Sequence, residues 1–376
     1  MAWKEARRAS KDEHVADDRR RGRGAVSNAT GRFEPERREY FDEGWGSLEH
    51  LEPFKTEVRE EVAKTIIATN DSPDIAFDRS INPYRGCEHG CVYCYARPSH
   101  AYWGYSAGLD FETKLTAKVN AVEALERELS KPGYQPATIM IGSNTDGYQP
   151  IERERKITRG VLEALDRFNH PVAIVTKSAL VLRDIDILSR LASRGLTRVA
   201  ISVTTLDHRL ARKMEPRAST PAKRIEAIRR LSAAGVPVAV MAAPLIPALN
   251  DSELERILQG AAAAGATEAA YVLLRLPLEI SPLFQEWLAA EFPGRRQAYH
   301  VACALNARGQ GLRFRLWRAS ARNWALCGSD RGALPVGAQA IWPQSETSQS
   351  APRSFPQAGG LAAHLVLTGK PRHRPA

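Results

Sequence analysis

From residue 74 to residue 293 the chain alternates six short apolar runs with amphipathic stretches, and nothing else in it restricts the fold so strongly. The apolar runs span 78–82, 137–141, 172–176, 198–203, 237–242 and 270–274. Each has the length of a strand buried on both faces. The stretches 112–129, 156–168, 184–193, 221–234 and 251–263 carry helical spacing between them, and 282–290 follows the last run. Strands separated by helices pair in parallel with right-handed crossovers, so the expected class is α/β with a parallel sheet. Ligand chemistry then belongs at the C-terminal ends of the strands.

On that rim, just after the first strand, lies Gly86-Cys-Glu-His-Gly-Cys-Val-Tyr-Cys-Tyr95. Cys87, Cys91 and Cys94 are too close to serve as a disulfide framework, which would leave one over. They can grip one inorganic centre from a single loop and leave one metal position open. Only five cysteines occur in 376 residues, which points to a reducing, cytoplasmic setting. No run is long and apolar enough for a membrane span, so no membrane partner is expected. A zinc site is the rival reading. It needs a fourth ligand, for which His89 and His100 are candidates, while Cys303 and Cys327 lie far along the chain. In that case the protein is a non-catalytic zinc or iron–sulfur module touching nucleic acid through its basic ends.

The net charge of +10 resides mostly in the ends. From Arg295 onward there are 12 Lys and Arg against 2 acidic residues. The body is slightly acidic, so composition supports no basic stripe on the folded domain. Three regions are expected: a flexible basic segment over 1–44, a core with a helical lead-in over 45–293, and an atypical basic tail over 294–376. The lead-in rests on Val58, Val62 and Ile66 at helical spacing. The stretch 343–360, rich in Ser, Gln and Pro, reads as the start of a disordered end.

With Tyr93 as the aromatic residue before the third cysteine, the loop resembles the CxxxCxΦC signature of the radical S-adenosylmethionine (SAM) superfamily. The runs Ser72-Pro-Asp-Ile75, Ser80-Ile-Asn-Pro-Tyr-Arg-Gly-Cys87, Gly142-Ser-Asn-Thr-Asp146, Thr176-Lys-Ser178 and Pro244-Leu-Ile-Pro247 resemble, more narrowly, its spore-photoproduct-lyase-like group. The resemblance implies a partial (β/α)6 barrel of the TIM type, with flexible N- and C-terminal extensions. It implies a [4Fe-4S] cluster on Cys87, Cys91 and Cys94, with SAM chelating the fourth iron and Tyr93 lining the adenine. A one-electron reductant of the flavodoxin or ferredoxin type would drive reductive cleavage of SAM. The resulting 5′-deoxyadenosyl radical would abstract hydrogen from an unknown substrate, in a lyase or transferase reaction. Nucleic acid is the leading substrate class by the group's label alone.

Within that frame Asp146 is expected at the SAM ammonium, with Ser143 and Thr145 as hydrogen-bonding neighbours; a solvated turn is the competing account. Lys177 suits the SAM carboxylate as a point charge, and Ser202 the ribose. Pro244 to Pro247 either packs on the adenine or makes a structural turn. Arg275 serves either a ligand or a buried salt bridge. One departure is clear: Gly142 to Tyr148 carries no cysteine where spore photoproduct lyases place their hydrogen donor. Tyr95 and Tyr148 are the candidate substitutes.

Overall fold

The computed structural model describes residues 15–36, 52–71, 77–307 and 362–366. Two strands, β1 (Glu57–Glu61) and β2 (Ile67–Thr69), come first. The repeat opens with β3 (Arg79–Ile81). The chain then leaves the main sheet through β4 (Tyr84–Arg85), α1 (Asp110–Thr113), β5 (Lys114–Lys118) and α2 (Ala121–Leu129). It returns as β6 (Ile139–Ile141), followed by α3 (Glu152–Arg155) and α4 (Ile157–Arg167). Next come β7 (Val172–Thr176) with α5 (Ile185–Ser193), then β8 (Thr197–Ser202) with α6 (His208–Met214) and α7 (Pro221–Ala233). The repeat ends with β9 (Val238–Leu245) and α8 (Leu254–Ala263), then β10 (Glu268–Leu273) with α9 (Ile280–Glu291) and α10 (Arg296–Ala307); β11 (Ala362–Val366) comes last.

The main sheet runs in the order β2, β3, β6, β7, β8, β9, β10, β11. All pairings from β3 to β10 are parallel, whereas β2 and β11 join antiparallel at the two edges. The edges do not pair with each other, so this is the expected six-strand barrel, left open. Ile139, Ile141, Ile174, Val199, Ile201 and Val240 are fully buried in it. Helix α4 lays Ile157, Val161, Leu162 and Leu165 against the sheet, the one-face spacing of an amphipathic helix. Each large aliphatic buried this way contributes about 1.5–3 kcal/mol. Among the described residues no helix is long and apolar enough to cross a membrane.

Three expectations need correction. The helical lead-in is instead β1 and β2: Val62 is 75% exposed, so the spacing of Val58, Val62 and Ile66 marks no buried helical face. The single helix expected over 112–129 is split, because Lys114–Lys118 pairs with β1 on one side and β4 on the other. Its alternation buries Leu115 and Ala117 and leaves the intervening residues half-buried, the period of a strand. The N-terminal segment, read as mobile, is packed over 15–36: Val15, Ala25, Val26, Ser27 and Asn28 are buried. Its charges have specific partners in the fold, described below. In the tail, β11 pairs with β10; the low-complexity stretch 343–360 and the run 72–75 lie outside the described residues.

Candidate active site: the cysteine loop

Strand β4 delivers the chain to Gly86, and the cysteines follow in successive tight turns. Gly90 N donates to Cys87 O (3.3 Å), Cys94 N to Cys91 O (3.2 Å) and Arg97 N to Cys94 O (3.2 Å). Two long-range bonds fix the loop: Cys87 N to Phe111 O (2.9 Å), and Val92 N to Met214 O at the end of α6 (3.0 Å). Gln149, fully buried, accepts from Glu88 N (2.9 Å) and donates to Gly86 O (3.2 Å). Cys87 and Cys91 are 7% exposed, Cys94 is half-buried, and all three are free thiols.

Beneath the loop Arg97 is fully buried and donates to Cys91 O (2.9 Å), Ala107 O (3.0 Å), Gly108 O (2.9 Å), Gly90 O (3.3 Å) and Glu112 Oε1 (2.6 Å). Glu112, also fully buried, accepts from the backbone N–H groups of Gly24 and Ala25, both at 2.9 Å. Arg23 returns the contact by donating to Glu112 O (3.0 Å). The N-terminal segment thus lies directly on the cysteine loop. Both glycines at the crossing are obligatory: a Cβ on Gly24 would run into the Gly90 carbonyl, and Gly90 has φ +67° with Glu112 Oε2 2.6 Å from where its Cβ would lie.

On the barrel side sits a second buried network, centred on Glu215. Its carboxylate accepts from Tyr93 Oη, Arg224 and Thr204 Oγ1 (2.7 Å), and pairs with Lys177 Nζ at 3.4 Å. Burial pushes the Glu215 carboxyl up, but the charges of Arg224 and Lys177 and the hydrogen bonds outweigh it and hold the group below its usual range. Tyr93 is only 6% exposed; burial and the neighbouring Glu215 carboxylate push its phenol well up. Lys177 Nζ stands 5.6 Å from the Tyr93 ring centroid.

The structure brings together most of the residues singled out from sequence. Tyr93 and Lys177 meet over Glu215. Asp146 lies beside the loop, but its carboxylate is occupied by the protein: it accepts from Thr176 Oγ1, Lys177 N and Tyr148 N, each at 2.8 Å, and faces His89 Nδ1 at 3.3 Å. Thr145 is tied to Tyr84 O (2.7 Å) and is a strut. Ser143 stands at the mouth, 3.5 Å from Asn82 Nδ2. Ser202 is buried at the end of β8, and its carbonyl accepts from Arg224 (3.1 Å). Buried Asn250 ties the turn at Pro244 to Thr204 O (2.8 Å) and Pro244 O (3.0 Å), the structural-turn alternative. Arg275 is exposed, so the buried salt bridge does not form. Tyr148 is buried and Tyr95 is 60% exposed. Sequence reasoning missed Arg97, Glu112, Glu215, Arg224 and the N-terminal clamp. Isolated charged residues carry no periodic signal; the nearest hint was the Gly-x-Gly run ending at Gly24.

Among the described residues no three His, Cys, Asp or Glu side chains converge on a single metal ion. The three thiols nonetheless share one environment. Burial, then Asp146, Cys91 and Cys94 raise Cys87; burial, then Glu215 and Cys94 raise Cys91. The sequence matches the family model of the radical SAM superfamily over residues 81–260. An uncharacterized protein of Mycobacterium tuberculosis is 37% identical over 231 residues, covering 60% of this chain and 68% of the relative. One from Methanocaldococcus jannaschii is 31% identical over 173 residues, covering 46% and 62%. Among solved structures, a variant of spore photoproduct lyase is similar at 16% identity and a TM-score of 0.46, covering 63% of this chain and 66% of that chain. By its matching sequence model, its relatives and a strand order that leads into the three-cysteine loop, the chain belongs to the radical SAM superfamily, whose enzymes use a [4Fe-4S] cluster and SAM.

Proposed function

We propose that Cys87, Cys91 and Cys94 hold three irons of a [4Fe-4S] cluster and that the barrel rim beside them binds SAM. The observation that carries this reading is three free thiols on one clamped loop, two buried and one half-buried, beside the Lys177–Glu215 pair at the barrel rim. When bound, the cluster and SAM supply a reductively generated 5′-deoxyadenosyl radical that abstracts hydrogen from the substrate.

The chain's own residues prepare that site. Arg97, Gln149 and the Phe111 carbonyl fix the loop so that the thiols need not reorganise. Glu215 holds the Tyr93 phenol and leaves its ring as a wall for an adenine. Lys177, 17% exposed, keeps its ammonium within reach of a SAM carboxylate. Ser143 at the mouth is placed to meet the polar end of the ligand, and Ser202 lines the deeper end. Asp146 acts through its neighbours: it fixes the Lys177 backbone and His89, which a SAM ammonium would have to displace. The substrate is proposed to be nucleic acid and the reductant a flavodoxin- or ferredoxin-type donor; whether the reaction is of lyase or transferase type follows from the substrate.

After anaerobic reconstitution the protein is expected to carry about four irons per chain and to release 5′-deoxyadenosine from SAM under dithionite. Cys91→Ala is expected to keep its circular dichroism spectrum and lose the iron. Stoichiometric zinc in the wild type, or full iron in Cys91→Ala, overturns the assignment.

A further inference from the structure

Beside the cysteine loop a cleft of about 160 Å³ opens near the ends of β6, β7 and β8. Arg153, Arg217 and Lys223 line it, and no lining residue is acidic. Arg153 and Lys223 are exposed and have no ion-pair or hydrogen-bond partner for their side chains among the described residues. Arg217 pairs with Glu88, which does not line the cleft. Two unneutralised cations and a third beside them, converging on one small concavity, give it a strongly positive field.

Two further observations point the same way. The floor includes His89, which is 2% exposed. Its Nδ1 faces Asp146, while Nε2 has no partner among the described residues. Helix α7, 13 residues long, begins at the cleft wall: Thr220 has the extended backbone of an N-cap, yet its side chain makes no capping bond. With Pro221 at the first position and no acidic residue in the first turn, the N–H groups of Ala222 and Lys223 are left for an outside acceptor.

We infer that this cleft is a phosphate-binding subsite. Its volume of about 160 Å³ is enough for one phosphate group. The phosphate belongs either to the backbone of a nucleic-acid strand that crosses the rim, or to a small phosphorylated molecule. Arg153 and Lys223 supply mobile charge, Arg217 the planar donor fork, and α7 the fixed N–H groups. Arg153, Arg217, Lys223 and the start of α7 are not among the residues proposed to hold the cluster or SAM; His89 alone borders both sites.

The test is calorimetric titration of the full chain, with and without reconstituted cluster, using inorganic pyrophosphate and a short single-stranded oligothymidylate. The variant R153A/K223A is compared with K64A/K131A, which removes the same net charge from exposed lysines elsewhere. Binding of either probe is expected to weaken at least about tenfold in R153A/K223A, as loss of charge-assisted contacts implies, and to be unchanged in K64A/K131A. Pyrophosphate bound as tightly as the oligonucleotide identifies a small phosphorylated ligand. An oligonucleotide bound more tightly, and more steeply dependent on salt, identifies a strand. Equal weakening in both double variants, or displacement of pyrophosphate by saturating SAM, overturns the inference. Unchanged circular dichroism in the two variants excludes misfolding as the cause.

Discussion

The barrel sheet and the cysteine loop are equally buried and held by opposite means. In the sheet, Ile139, Ile141, Ile174, Val199, Ile201 and Val240 meet no water and carry no side-chain polar atoms. Their contribution scales with area and has no direction, so a neighbour can relax into a small loss. Around the loop the fully buried side chains are Arg97, Glu112 and Gln149, with Glu215 and Arg224 close behind. These stabilise only when every donor meets its acceptor, because an unpaired buried charge is severely unfavourable. Area gives the barrel its shape; directional pairing gives the loop its coordinates. A cofactor site needs the second kind of order, since small displacements of its donors spoil it.

The sharpest way to break this contrast is Arg97→Ala set against Ile201→Val. The first leaves the Glu112 carboxylate buried without its cation and frees four carbonyls. A loss of roughly 3–5 kcal/mol is expected, together with loss of iron on reconstitution. The second removes one methylene from the sheet and is expected to cost about 0.5–1.5 kcal/mol with iron retained. Urea midpoints and iron content check both. If the two variants unfold at the same midpoint with the same iron, the distinction between the regions is wrong.

Acid sharpens the comparison. His100 is packed under the loop against Tyr105 and Phe111, and its Nε2 is buried without a hydrogen-bond partner. Burial lowers its pKa from 6.5 to about 4, with Asp110 opposing. Between those values the unfolded chain binds the proton and the folded chain does not, so stability rises with pH across the window and falls as pH drops from 6.5 toward 4. The shift corresponds to a loss of roughly 3 kcal/mol. His100→Phe keeps the aromatic contacts and is expected to flatten that part of the stability-against-pH curve. His170 on the barrel is also lowered by burial, but its Nε2 meets Tyr134 Oη at 2.8 Å. A curve flattened by His170→Phe and unchanged by His100→Phe would place the acid-sensitive group in the barrel and refute this assignment.

The same division explains what could be read in the chain. Apolar runs announce themselves by period, so β7 falls on its expected residues and α4, α5 and α7 within one residue of theirs. The cysteine spacing carried its own chemistry. The clamp did not, because Arg23, Gly24, Arg97 and Glu112 belong to no periodic pattern and their meaning arises from partners up to 89 positions away. The alternation of Lys114 to Lys118 was present in the sequence, but the helical spacing of Ala121–Leu129 immediately after it dominated the window. Strand β1 had no such signal, since its pattern of exposed and half-buried residues reflects an edge with water on both sides.

The smallest expected effect lies where the two regions meet. Helix α6 offers Met214 O to Val92 of the cysteine loop at one end and is capped at the other by Asp207, which accepts from Arg209 N (2.7 Å) and Leu210 N (3.3 Å). Asp207→Ala frays only the first turn and is expected to lower stability by about 1 kcal/mol. Two further supports secure the far end: the Trp287 indole donates to Lys213 O (3.1 Å), and Met214 is buried in the same apolar cluster as Val92. Iron content after reconstitution should therefore match the wild type. A variant that lost iron together with that 1 kcal/mol would show that α6, and not Arg97 with the N-terminal clamp, sets the position of the thiols.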